Sequence, residues 1–236
     1  MKDSIVFSTF HPEENTSDTI ILSCHTIRKE LEHAMQAVGA NFPVAYLESK
    51  LHDTPEQLRK VLQEQIDTAG KSGVRRILLG YATCGNSVAG LRTGSCELIL
   101  PQTDDCVTFF LGSMDRRRKM PAGTFYVTHG WLYDEGHGQS YYQEILEKYG
   151  EETGQEIYEM MMEHYQDVGV LDTHCYEMEQ LKKDAHAFAD CLGLDYTEID
   201  ASNSYLEQLL TGPWEKERFF IFGPNHCITE EELFLP

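Results

Sequence analysis

"VRRILLGYATCGN", residues 74–86, decides how this chain is read. "VRRILLG" is a short apolar run ending on a glycine, the pattern of a strand buried in a parallel sheet. It feeds "GYATCGNSVAG" (80–90), in which Cys84 stands among small residues with Gly80, Gly85 and Gly90 around it. A cysteine that only fills space lies inside an apolar segment. This one is set in a turn just past a strand, where ligands of parallel α/β sheets bind.

The same alternation extends in both directions. Upstream, "TIILSCH" (19–25) is a strand ending in Cys24 and His25, and "IRKELEHAMQAVG" is a helix with Ile27, Leu31, Ala34, Met35 and Val38 on one face and Gly39 as its C-cap. "FPVAYLE" is a second strand, and a helix from Asp53 or Thr54, with Pro55 in its first turn, closes on Gly70. Downstream, "ELILP" and "GTFYVTHG" are strands, with a short helix between them that starts at Asp104 or Asp105. The stretch 139–166 is helical, and its Met160, Met161 and Met162 are expected to pack. Then come the strand "VGVLDTHC" (168–175), a helix capped by Gly193, the strand "DYTEID", a helix from Ser202 or Asn203, and the strand "RFFIFGPNHC".

This pattern predicts an α/β fold with mostly parallel sheets covered by helices. Each half runs strand, helix, strand, helix, strand. Cys24–His25 matches His174–Cys175, and Gly80-x-x-x-Cys84 matches Gly223-x-x-x-Cys227. The expectation is a single domain over 1–236, either simply two-lobed or internally duplicated, with two similar βαβαβ lobes, 1–135 and 165–236, joined by the helical segment 139–166.

A formal charge of −20 argues against nucleic acid and anionic membrane surfaces as partners, because neutralising phosphates takes an excess of Lys and Arg. No apolar segment approaches the length of a membrane helix, and the N-terminal stretch lacks the apolar core of a signal peptide. A cytoplasmic protein is expected, with its seven cysteines as thiols.

Cys24, Cys84, His174, Cys175 and Cys227 all fall at expected strand ends. The N–H groups of a helix starting after Cys84 would favour its thiolate. Cys106 sits at a helix N-terminus, where the dipole favours thiolate and Asp104 and Asp105 oppose it. Those two carboxylates read either as N-cap and first-turn charges or as an acid/base pair. Cys96 and Cys191 are read as packing residues. His129 and His137 lie in glycine-flanked loops. "DRRRK" (115–119) either offsets a helix C-terminus or binds an anionic group. The chain has no Walker A loop, no G-x-G-x-x-G, no G-x-S-x-G and no H-E-x-x-H.

In order, "ILSCH", "GYATCGN", "LILPQTDDCVTFFLGS" and "GTFYVTHGW" resemble the domain-of-unknown-function family numbered 1638, most clearly over residues 75–131. Cys24, Cys84, Gly85, Asn86, Asp105, Cys106 and Trp131 fall on motif positions. Gln102 and Asp104 depart from the pattern, which has arginine and histidine there. The resemblance implies a link to corrinoid-dependent methyl transfer in anaerobic one-carbon metabolism.

Three readings stand on these residues. The first is a protein that binds zinc, another thiophilic metal or a corrinoid, with Cys24, Cys84, Cys106 and His174 as metal ligands and Gly85, Asn86 and Arg117 against the cofactor. The second is a cofactor-independent isomerase, racemase or lyase with Cys84 and Cys227 as opposed acid and base, and Asp105 in support. The third is a non-enzymatic accessory protein docking on a methyltransferase or its corrinoid protein.

Overall fold

A computed structural model describes residue 10, residues 17–134 and residues 139–233. Strands β1 (Thr19–Cys24), β2 (Val44–Leu47), β3 (Arg76–Gly80) and β4 (Glu97–Pro101) are mutually parallel in the order β2-β1-β3-β4. Strand β8 (Phe219–Phe222) closes this sheet antiparallel to β4. A second, all-parallel sheet has the order β5-β6-β7, from β5 (Thr124–Val127), β6 (Asp167–Asp172) and β7 (Asp195–Asp200).

Strand alternation divides the first core. Ile20, Leu22, Ile77, Leu79, Leu98 and Leu100 point to one face, where α2 (Pro55–Lys71) lays Leu58, Leu62, Ile66 and Ala69 over them. Ile21, Leu78 and Ile99 point to the other. That face is covered by α1 (Arg28–Val38), α3 (Cys106–Leu111) and α8 (Ser204–Thr211). The period-2 strands and period-3.6 helices account for both layers. Gly39 ends α1 in the left-handed conformation, as expected. In the second lobe, α7 (Glu179–Leu192) packs Leu181, Ala185, Phe188 and Ala189 on Val127, Val168 and Val170. Helices α5 (Gln139–Tyr149) and α6 (Glu151–Met162) connect β5 to β6.

The α/β class with mostly parallel sheets is as expected, but the strand pairing does not follow two repeated halves. β5 leaves the first half to join the second sheet, and β8 returns from the second half to the first. One sheet has five strands with an antiparallel edge and the other has three, so they are not copies. The matched glycine–cysteine spacings lie on strands running in opposite directions within one sheet. Met160 and Met161, expected to pack, are 71% and 47% exposed.

The lobes meet where strands of both sheets end. Residues following β1 touch those following β5 and β6. The Tyr176 hydroxyl donates to the buried Glu30 carboxylate (2.8 Å) and accepts from the His129 N–H (3.2 Å). The Asn203 amide donates to the Glu30 carbonyl (2.7 Å). Gly130, opening the turn Gly130–Asp134, packs directly on the backbone of Thr26, and a Cβ there would run into the Thr26 carbonyl and lie 3.0 Å from its Cα. A backbone neighbour cannot yield as a side chain can. Gly130→Ala is therefore expected to lose at least about 1–3 kcal/mol, the usual cost of overpacking, read as a lower urea midpoint against wild type.

Candidate active site

The first sheet has a topological switch between β1 and β3. From β1 the chain leaves through α1 to β2 on one side, and from β2 it returns through α2 to β3 on the other. Connections that depart in opposite directions leave a crevice beyond the carboxyl ends of those two strands. Cys24 is the last residue of β1, and Cys84 lies just past β3, which pairs with β1 through Ser23 and Gly80. The Cys24 sulfur lies 3.2 Å from the Thr26 hydroxyl oxygen. Cys24 and Cys84 also lie close enough to act electrostatically on each other and on the buried Tyr81 hydroxyl. Burial, then the two thiols, pushes that hydroxyl's pKa well above its ordinary value.

Cys84, Gly85 and Asn86 adopt successive positive φ angles of 43°, 64° and 69°. Only the middle residue is a glycine, so the turn holds two L side chains in a conformation that costs about 1–3 kcal/mol each. The surroundings impose it. The N–H groups of Thr83 and Cys84 donate to the carbonyls of Thr103 (3.0 Å) and Asp104 (3.3 Å) beyond β4, and Ser87 closes back on Thr83 (3.0 Å). From α2, Arg59 donates to the carbonyls of Asn86 (3.2 Å) and Ser87 (3.4 Å). Such strain persists only where the surrounding structure holds it in place.

The thiolate expected at Cys84 is not favoured. Turns, not a helix, follow it, so no helix dipole acts on the sulfur. Burial pushes the Cys84 thiol up to about 12, with Cys24 and Asp105 adding to the rise and a hydrogen bond from the Ala82 backbone opposing it. In the protein alone the site holds a neutral thiol.

Beside this turn lies a cleft of about 640 Å³ lined by Thr83, Asn86, Asp104, Asp105, Arg117 and Glu230, among others. Asp105 is the N-cap of α3, its carboxylate accepting from the Thr108 N–H (2.8 Å) and hydroxyl (2.6 Å). Its second oxygen faces the Arg117 guanidinium at 3.4 Å. Arg117 belongs to α4 (Met114–Lys119) and stacks over the Tyr126 ring at 4.8 Å. Asp105 thus combines the capping role with a contact to the cleft, and Arg117 presents a cation there. Cys106, half-buried in the first turn of α3, packs against the core on the α1 and α8 side.

Other expected site residues lie apart from the thiol pair. His174 follows β6 in the second sheet, with a positive φ of 58° and its ring between Asp200 (2.8 Å) and Asp172 (3.4 Å). Those carboxylates raise its pKa. Cys227 is exposed in a bridge to Arg92, and its sulfur reaches the Gly90 carbonyl at 4.0 Å. Because β8 and β3 share a sheet, Cys84 and Cys227 do not oppose each other from two lobes. Among the described residues no three His, Cys, Asp or Glu side chains are grouped to hold a metal ion, so the set Cys24, Cys84, Cys106 and His174 is not assembled as a shell. Cys175 is half-buried, its thiol raised to about 11 mainly by burial. Cys96 is buried in the core as expected, whereas Cys191 is exposed. His129 is pulled down to about 4 by burial and by Lys29, whose ammonium lies 2.8 Å from the ring, so it is neutral at pH 7. His137 lies outside the described residues.

Tyr81, Arg59, Glu30 and Tyr176 were not among the expected site residues. Tyr81 stood next to the glycine turn and carried a signal. The other three act through contacts between segments far apart in the chain. All seven cysteines are free thiols. Iodoacetamide at pH 8 is expected to label Cys191 and Cys227 first, and Cys84 and the fully buried Cys96 last, as read by peptide mass spectrometry. The unfolded Cys84 thiol ionises near 9 while the folded one holds its proton to about 12. Its contribution to stability is therefore present below pH 9 and falls as pH rises towards 12, a slope that Cys84→Ser should reduce in urea titrations.

No curated protein and no solved structure matches this chain. Residues 46–210 match the profile of a family described as "Protein of unknown function (DUF1638)". That match covers more than half of the sequence and takes in the glycine turn, the α3 segment and the β5 strand, and the chain belongs to this family.

Proposed function

We propose that this chain binds a thiophilic metal centre that arrives with ligands of its own, through the thiols of Cys24 and Cys84. The observation that carries this reading is the convergence of two thiols at the switch point of a parallel sheet, one of them in a strained turn. Two protein donors make an incomplete shell for a resident zinc ion, which takes four in structural sites and three in catalytic ones. They suit a metal whose remaining positions are filled by a cofactor ring or by a second molecule. The cofactor class implied by the family resemblance is a corrinoid, which when bound would supply methyl-transfer chemistry.

The chain's own part follows from its groups. Cys84 keeps its proton in the protein alone, and a cation beside the sulfur would displace that proton, since metal-bound thiols are deprotonated. The Arg59 hydrogen bonds hold the turn, so the sulfur is positioned before a ligand arrives. Arg117, oriented by Asp105 and Tyr126, offers a cation to an anionic part of the ligand. On this reading the partners are a corrinoid protein or a methyltransferase that exchanges the cofactor with this chain.

Anoxic titration with cobalamin, and separately with zinc, tests the proposal by absorbance and by metal analysis after gel filtration. Stoichiometric retention of the cobalamin by wild type is expected. Cys24→Ser and Cys84→Ser should each weaken it at least about tenfold, the scale on which metal sites respond to altered ligation. Cys191→Ser should change nothing. Equal retention by wild type and both site variants would overturn the reading.

A further inference from the structure

On the far side of α4 from the first cleft lies a second cavity of about 610 Å³. It opens beyond the carboxyl end of β4 and the start of β8, and shares Met114 and Arg118 with the first cleft as a common wall. Its lining includes Gln102, Ser113, Tyr205, Lys216, Arg218 and the shared Arg118. Three cations therefore meet in one cavity of a chain whose net charge is −20. Two carboxylates, Asp115 and Glu217, also line it. The Asp115 carboxylate is largely exposed and faces Arg118 at 3.9 Å.

Arg218 carries the argument. Its guanidinium lies over the Tyr205 ring, 4.0 Å from the centroid. Its backbone is fixed on both sides: the Arg218 N–H donates to the Glu215 carbonyl (2.9 Å), and the Arg218 carbonyl accepts from the Gln102 N–H (2.7 Å). With its amide nitrogen turned towards them, the Gln102 side chain donates to the carbonyls of Lys216 (2.7 Å) and Glu217 (3.2 Å), holding the segment that carries Lys216. The Nη2 of Arg218 is nevertheless buried and has no acceptor among the described residues. A desolvated guanidinium nitrogen without an acceptor is costly. That nitrogen is closed to the cavity, so an oxyanion would meet the part of the guanidinium that lines it, and a stacked guanidinium fits two oxygens of a phosphate.

We propose that this second cavity binds a phosphate group, gripped by Arg218 with Lys216 and Arg118 as supporting cations. The site is separate from the thiol pair and does not depend on what that pair binds. A phosphate group can belong to a larger ligand or be free inorganic phosphate, and both present the same oxygens.

The test is binding of inorganic phosphate and, in parallel, of glycerol 3-phosphate, by calorimetry and by thermal stabilisation at constant ionic strength in chloride. Saturable binding and a raised melting temperature are expected for wild type. Arg218→Gln and Lys216→Ala should weaken binding about tenfold or more, the loss of one charge-assisted hydrogen bond. Lys216 is exposed, so its replacement carries the test even if Arg218→Gln fails to fold. Cys84→Ser should bind phosphate like wild type, which separates this site from the thiol site. Tighter binding of the ester would identify the phosphate as part of a larger ligand, and tighter binding of inorganic phosphate would identify the free anion. No saturable binding of either, or unchanged affinity in the Lys216 and Arg218 variants, would overturn the proposal.

Discussion

Glu30 has no exposed surface, and the meeting of the two lobes turns on it. A buried carboxyl is tolerated only where hydrogen bonds replace water. Tyr176, from the loop after β6, donates to its side chain, and Asn203, on the return from β7 to α8, donates to its main chain. A hydrogen bond contributes about 0.5–1.5 kcal/mol net, and leaving a buried group without its partner costs about 1–3 kcal/mol, so the first of these counts beside a typical domain stability of about 5–15 kcal/mol. Glu30 thereby ties the segment after β1 to the loop after β6 through its side chain, and to the return from β7 through its main chain. The packing of Gly130 on the Thr26 backbone and of Leu171 and Ile199 in the core of the first sheet works beside that tie.

The local part of the fold was legible because local rules govern it. The apolar faces of α1, α2 and α7, the caps at Gly39 and Gly193, and the strand runs all follow from side-chain period and backbone freedom. Strand direction and sheet membership were not legible. "RFFIFGPNHC" reads the same whether its strand lies parallel in a second lobe or antiparallel on the edge of the first, because an apolar run carries no direction. The repeated glycine–cysteine spacing is not matched by a repeat in the strand pairing.

The site was half legible. That Cys24 and Cys84 stand at strand ends could be read directly, but their adjacency depends on strand order, which no local pattern contains. The same limit applied to the charge state of Cys84. A helix start after the turn would have lowered its proton affinity, and burial raises it; which one acts depends on what packs around residues 84–90. The left-handed turn was equally hidden, since Cys84 and Asn86 are held at positive φ by Arg59 and by the chain beyond β4, not by their own preference.

The edge strand β8 also sets the order in which the protein can be completed. Its residues, Phe219–Phe222, follow all three strands of the second sheet in sequence, yet they cover the flank of β4, formed by Glu97–Pro101. During synthesis, which proceeds from the N-terminus, that flank stays without its native neighbour until the second sheet has been made and β8 follows it. An uncovered flank of this kind, with buried leucine and isoleucine behind it, is a template for wrong pairing. The nascent chain is thus exposed to self-association until β8 arrives, and a fragment ending before β8 would keep that exposure permanently.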